Sequence, residues 1–283
     1  MAAKAYSYSD SLKSDLSDEP INLYLQRPLA GILVRLLFRT AVTPNELTIA
    51  GAVSGVAGAL LIPFGGHMFW AAAALLYLKD ILDSADGQLA RAKQRYSRRG
   101  RFLDSIGDFA VNLFLFGGIG TLLVRLGYPS GIVLVGSLVG FLGVTLRVSY
   151  HVFYQTAYLH TFKEYQTNRL TEELREEDYA QDPVTRRLQQ TFQILYGWQD
   201  RLMTRIDGVS RKGVDRVSEW YRDPAGLRLG GFLGLGTEYV MLTICLIVKN
   251  PQAYLLGSVV VLNGLWMLTM AYRKFVVAGK LLE

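Results

Sequence analysis

Apolar residues fall into six blocks, roughly 46–64, 68–89, 101–124, 129–153, 230–248 and 252–273. Each comes close to the ~20 residues that a helix needs to cross a bilayer. The breaks among the first four and between the last two are short and polar or turn-forming: Pro63-Phe-Gly-Gly-His67, the basic stretch 91–101, Gly127-Tyr-Pro-Ser130 and Asn250-Pro251. None of the blocks alternates with the period of two that a barrel strand would show, so helices are the only spanning form left. The pattern predicts an all-α integral membrane protein with six transmembrane helices.

Two further stretches are amphipathic rather than uniformly apolar. Over 20–39, Ile21, Leu25, Leu29, Ile32, Leu33 and Leu36 recur at helical spacing with Arg27, Arg35 and Arg39 among them, and Pro28 is positioned to kink the segment. This reads as an N-terminal helix lying in the membrane interface, although a helix packed on the bundle has the same pattern. Between the fourth and fifth blocks lies a polar insertion, 154–229, that opens with Glu172, Glu173, Glu176, Glu177 and Asp178. Asp182-Pro183 then predicts a capped helix start. Val184, Leu188, Phe192, Leu195, Trp198, Leu202, Ile206 and Val209 follow as its apolar stripe. That helix fits three placements: on anionic lipid, in a dimer, or over an active site. The chain thus divides into 1–42 (tail and interfacial helix), 43–153 (first four spans), 154–229 (cytoplasmic insertion) and 230–283 (last two spans and tail).

Charge orients the bundle. The link between the second and third spans holds Arg91, Lys93, Arg95, Arg98, Arg99 and Arg101, whereas the link between the first and second holds no Lys or Arg. Arg273, Lys274 and Lys280 follow the last span. Positive-inside places both termini and the 91–101 link in the cytoplasm, as expected of a multi-pass protein of the cell (inner) membrane. The net charge of +6 is accounted for by these loops and calls for no nucleic acid partner. No apolar core precedes Ile21, so no cleavable signal peptide is expected, and the single Cys245 offers no disulfide.

Against this apolar background stand four acids. Asp83 and Asp86 are three apart and share one face of the second span; Asp104 and Asp108 are four apart and share one face of the third. The two helices are antiparallel neighbours, so their acid-bearing ends can meet. Carboxylates so close repel unless something positive lies between them. Hard divalent cations, Mg²⁺ or Mn²⁺, suit an all-oxygen donor set, and a pair of them can clamp a phosphoryl displacement. Gly87 and Gly100 clear space for a ligand to approach the backbone, Ala90 keeps the face thin, and Arg91 can fork onto phosphate oxygens.

Together these residues read D-x2-D-G-x2-A-R-x8-G-x3-D-x3-D, eight fixed residues over positions 83–108. The string resembles the signature of the CDP-alcohol phosphotransferase family at every fixed position. The six-helix layout and preceding interfacial helix extend the likeness, while the 154–229 insertion is longer than the usual connection. The resemblance implies transfer of the phosphoalcohol part of a CDP-linked alcohol, such as CDP-diacylglycerol, to the hydroxyl of a small polar alcohol or lipid acceptor, with release of CMP. It implies that Asp83, Asp86, Asp104 and Asp108 bind two metal ions and that Asp108 also takes the acceptor proton. Gly87, Arg91, Ser97 and Gly100 would contact the CDP moiety, and the protein would work as a homodimer in membrane lipid. Asn45, in Thr43-Pro44-Asn45-Glu46, gains a nucleotide role by the same likeness, while Thr43 and Glu46 independently fit a helix capping box.

The acceptor is less legible. Arg147 could bind an acceptor phosphate or snorkel to headgroups, and Glu238 could recognise the acceptor or pair with Arg147. The rival to the transferase is a divalent-cation transporter or channel with the acids as its ion site. It leaves Gly87, Ala90, Arg91 and Gly100 without a purpose.

Overall fold

The computed structural model describes residues 7–8, 16–95, 97–162, 169–180 and 182–282, and these are helical wherever they are regular. The N-terminal helix α1, Arg27–Leu37, is entered through a π-helical turn, Asn22–Gln26, immediately before Pro28. A proline in a helix removes one N–H and crowds the carbonyl four residues earlier, and a widened turn accommodates both. Helix α1 buries Ala30, Gly31 and Val34 against Leu47 and α3, and leaves Leu29, Ile32 and Leu36 exposed, as the preceding turn leaves Leu25. Both readings of the N-terminal pattern therefore find a face: a narrow one packs on the bundle and a broad apolar one points away from it. Arg27 departs from the expected surface role, because it is buried and ion-paired with Asp18.

Helix α2, Pro44–Leu61, starts at the expected box: Thr43 accepts from the Glu46 N–H, and the Glu46 carboxylate accepts from the Thr43 N–H at 2.8 Å. Helix α3, Met68–Ala92, returns antiparallel to it. Small residues on α2 (Gly51, Ser54, Gly55 and Gly58) recur every three or four positions and are buried at this contact, the small-residue seam by which membrane helices approach closely. Ser54 adds a hydrogen bond to the Leu75 carbonyl at 2.8 Å. Helices α4, Arg98–Arg125, and α5, Ser130–His160, complete the first four.

Among the described residues, five helical stretches are long and apolar enough to cross a membrane: Pro44–Phe64, Arg98–Arg125, Ser130–His160, Pro224–Ile247 and Pro251–Leu282. Helix α3 spans a comparable length but falls outside this set because its second half carries Lys79, Asp80, Asp83, Asp86 and Arg91. The outward faces of the set are rich in exposed Ile, Leu and Val, including Val53, Leu113, Ile132, Leu138, Ile247 and Leu268. Such continuous apolar surface marks contact with lipid.

In the insertion, α6, Pro183–Ser210, is capped by Asp182 as expected. Its docking face takes in only part of the apolar stripe: Phe192 is buried and Leu202 and Ile206 pack on the core. Val184, Ile194, Trp198 and Val209 are exposed, while Thr185, Gln189, Phe192, Gln199, Met203 and Asp207 are buried. The reason is polar pairing. Gln189 donates to Asp178 at 2.9 Å, Ser149 donates to Gln199 at 2.7 Å, and Asp207 accepts from Trp220 at 2.8 Å and Tyr221 at 2.7 Å. Short helices α7, Val217–Arg222, and α8, Pro224–Gly231, lead into α9, Leu235–Ile247. The last stretch runs through α10, Pro251–Leu256, a π turn at Gly257–Leu262, α11, Asn263–Ala271, a second π turn at Tyr272–Val277 and α12, Ala278–Leu282.

Candidate active site

The acid-bearing ends of α3 and α4 face each other, as the spacing requires. Asp83, Asp104 and Asp108 each offer a carboxylate oxygen within 4.8 Å of the others. Three all-oxygen donors at that separation suit a hard divalent cation. The Asp83 side chain is 29% exposed, so a solute can reach the group. Asp86 stands one turn on and is oriented differently: its carboxylate accepts from the Thr48 hydroxyl on α2 and lies outside the trio. Asp80 is buried and accepts from Gln26 at 2.7 Å, which separates it from the cluster.

The predicted nucleotide-side residues also converge. Ser97 caps α4, its hydroxyl accepting from the Gly100 N–H at 2.9 Å. A methyl group at Gly100 would lie 2.7 Å from Asn45 Oδ1 and 3.2 Å from Ser97 Oγ, so α2 and α4 meet here only because position 100 has no side chain. A methyl group at Gly87 would touch the Arg91 guanidinium, 3.4 Å from Nη1, which lies across that bare stretch of α3. Asn45, Ser97 and Gly100 thus form one edge of the site, and Gly87 with Arg91 another.

Three features were not legible in the pattern. Lys79 is one: its ammonium is ion-paired with Asp108, lies 3.5 Å from Asp83, and is only 2% exposed. Thr48, the partner of Asp86, is the second. The third is the flank supplied by α6. Tyr196 donates to the Ser105 carbonyl at 3.0 Å, and its ring meets Phe109 edge-on and stacks on Phe192. Burial raises the Tyr196 phenol above its usual value, and the negative charges of Asp108 and Asp104 raise it further. Of the three placements open to the insertion, α6 therefore takes a position beside the acids of its own chain.

The basic link is largely spoken for. Arg98 pairs with Glu172 at 2.6 Å and with Asp178, and Arg101 pairs with Glu172. Although burial works in the other direction, hydrogen bonds from Arg169, Gln189, Arg175 and Arg98 hold the Asp178 carboxyl well below its usual range. The acidic patch thus clamps the start of α4. Arg147 and Glu238 likewise find each other, at 2.6 Å and fully buried, so Arg147 does not present its charge to a solute.

Comparison with known proteins agrees with this geometry. Residues 41–166 match the family described as CDP-alcohol phosphatidyltransferase. The chain is 35% identical over 95 residues to a phosphatidylinositol phosphate synthase of Mycobacteroides abscessus, covering 34% of this chain and 41% of that protein. It is 38% identical over 91 residues to a phosphatidylinositol phosphate synthase of Streptomyces avermitilis (32% and 35% of the two chains). A bifunctional IPC transferase and DIPP synthase of Thermococcus kodakarensis is 34% identical over 92 residues (31% and 19%). The matched region therefore spans less than half the length of each of these relatives. Residues 41–166, which hold the acid cluster and its glycine and arginine flanks, are thus the part of the chain that is similar to the CDP-alcohol phosphatidyltransferase family.

Proposed function

We propose that the protein transfers the phosphoalcohol (phosphatidyl) group of a CDP-linked alcohol to an acceptor hydroxyl and releases CMP, as a step of phospholipid synthesis. The observation that carries this reading is the convergence of Asp83, Asp104 and Asp108 beside the Gly87–Arg91 and Asn45–Ser97–Gly100 edges. Three carboxylates hold a divalent ion, and the two glycine-thinned edges leave backbone and side-chain donors for a nucleotide diphosphate. Asp83, Asp104 and Asp108, with Asp86 one turn away, would hold two ions, Mg²⁺ or Mn²⁺. When bound, such ions neutralise the diphosphate and acidify a hydroxyl.

Within the chain, each residue has a distinct task. Arg91 forks onto phosphate oxygens and Asn45, Ser97 and Gly100 seat the cytidine end. Asp108 takes the proton from the acceptor hydroxyl, which is a poor nucleophile until it loses one. Tyr196 and the clamp on α4 hold the cluster's flank in place. The six-span layout, with the acids and both termini facing the cytoplasm, follows from α3 crossing the membrane between five apolar neighbours and from the positive links. The inositol phosphate named through the relatives makes a phosphorylated polyol the first acceptor to try, with CDP-diacylglycerol as donor and a homodimer as the working unit. A cation channel draws no support from the site, because Lys79 and Arg91 oppose cation passage.

The test is CMP release by purified protein in detergent or vesicles, with Mg²⁺ or Mn²⁺, CDP-diacylglycerol and a panel of alcohols headed by inositol phosphate. Metal-dependent CMP release coupled to a new lipid phosphodiester supports the reading. No CMP from any donor and acceptor pair, with folded protein, refutes it.

A further inference from the structure

Lys79 is a charge that the motif does not call for, placed where cations belong. It lies one turn before Asp83 on α3, and its ammonium reaches both Asp83, at 3.5 Å, and Asp108. It is not a surface lysine snorkelling outward, because its side chain is 2% exposed. Two other helices are shaped around it. On α2, a methyl group at Gly55 would lie 2.7 Å from Val111 Cγ2 and 3.0 Å from Lys79 Cγ, so the lysine stem and Val111 both pass where a larger residue would obstruct them. On α9, the buried Tyr239 ring lies under the ammonium, 4.8 Å from Nζ to the centroid. An aromatic face stabilises a desolvated cation there. Four helices thus build a cation site whose occupant is part of the chain.

We propose that Lys79 is a resident cation of the metal centre. It holds Asp108 by one carboxylate oxygen, offsets part of the cluster's negative charge when no ion is bound, and weakens the binding of divalent ions. This rests on the metal-centre reading above and goes beyond it. One ammonium against the carboxylates of Asp83 and Asp108, with Asp104 beside them, leaves the cluster stable enough to fold without metal, yet still negative enough to bind it. A fixed positive charge a few ångströms from an ion lowers its affinity by about tenfold or more, even at a surface-like dielectric constant.

The experiment is a Mn²⁺ titration, read by the spin-resonance signal of unbound Mn²⁺, on the full-length wild type, Lys79→Gln, Lys79→Met and Lys79→Arg. Melting temperature is recorded with and without Mn²⁺. Lys79→Gln and Lys79→Met are expected to bind Mn²⁺ about tenfold tighter than wild type or more. They should also melt lower without metal and regain that loss when Mn²⁺ is added. Lys79→Arg, which keeps the charge, is expected to bind Mn²⁺ as the wild type does. A wild type that binds no Mn²⁺ refutes the metal centre itself. A wild type that binds Mn²⁺ while the uncharged variants bind it no tighter refutes only the role of Lys79. Failure of both uncharged variants to fold in saturating Mn²⁺ also refutes that role, since the ion is expected to replace the missing charge.

Discussion

Two of the buried sets of charged side chains in this bundle are built on opposite principles. Between α5, α9 and the last helical stretch, Arg147 donates to Glu238 at 2.6 Å, to the Ser258 hydroxyl at 3.0 Å and carbonyl at 3.1 Å, and to Asn263. Glu238 in turn accepts from Tyr254 and Ser258, each at 2.7 Å. One positive and one negative group cancel, and all of their hydrogen-bonding atoms except Arg147 Nε are paired internally. Between α3 and α4, by contrast, Asp83, Asp104 and Asp108 cluster around a single Lys79, which pairs with Asp83 and Asp108. The first network is closed and the second is in deficit. A bundle interior penalises both, but only the second needs something from outside. An uncancelled charge therefore points to function more reliably than a buried charge does.

The comparison can be broken at four points. Asp108→Asn strikes the open network: CMP release is expected to fall by about 10² to 10⁴ while the circular dichroism and elution volume stay unchanged. Arg147→Met strikes the closed one. Stranding Glu238 is expected to cost about 3–5 kcal/mol in thermal or denaturant unfolding, and the double variant Arg147→Met/Glu238→Met should recover most of it. If Arg147→Met instead kept full stability and raised only the KM for acceptor, Arg147 would belong to the open network after all.

The third point lies at the N-terminal segment. The Glu19 carboxyl is pushed up to about 8 by burial and by the charge of Asp80, although it accepts a hydrogen bond from the Gly236 N–H at 2.7 Å. A carboxyl raised on folding contributes stability in its protonated form. That contribution is complete at low pH and is lost as pH rises toward about 8. Melting temperature in saturating Mg²⁺ is therefore expected to drop from pH 6 to pH 8, by at most about 3 kcal/mol of stability. Glu19→Gln should flatten that slope. The smallest effect is expected from Gly100→Ala, whose methyl group would lie 2.7 Å from Asn45 Oδ1. KM for the CDP donor should rise roughly tenfold with kcat nearly held, as when a binding contact common to ground and transition states is lost.

The sequence revealed the open network and hid the closed one's purpose. Acids spaced three and four apart on antiparallel spans can converge, as Asp83, Asp104 and Asp108 do, and the glycines between them have no packing rationale as economical as a ligand. The helix starts at Pro44 and Pro183 were legible because their caps are local. Lys79 was not, because a lysine one turn before an aspartate reads as an ordinary i,i+4 pair; its turn inward depends on Gly55 and Tyr239, 24 and 160 residues away. The docking face of α6 was legible only in part for a related reason. Hydrophobic periodicity marks Phe192, Leu202 and Ile206, which turn inward, but also Trp198 and Val209, which are exposed; the polar partners that fix the helix are Asp178, Ser149 and Trp220, and only the fold brings them to Gln189, Gln199 and Asp207.

The central claim is that the negative deficit between α3 and α4 is a divalent-metal centre. Anomalous diffraction from crystals soaked in Mn²⁺ tests it most directly. The account predicts a Mn²⁺ peak bounded by the carboxylates of Asp83, Asp104 and Asp108, lost in Asp104→Asn. A peak elsewhere in the bundle, or no peak from protein that still releases CMP on addition of Mn²⁺, would contradict it.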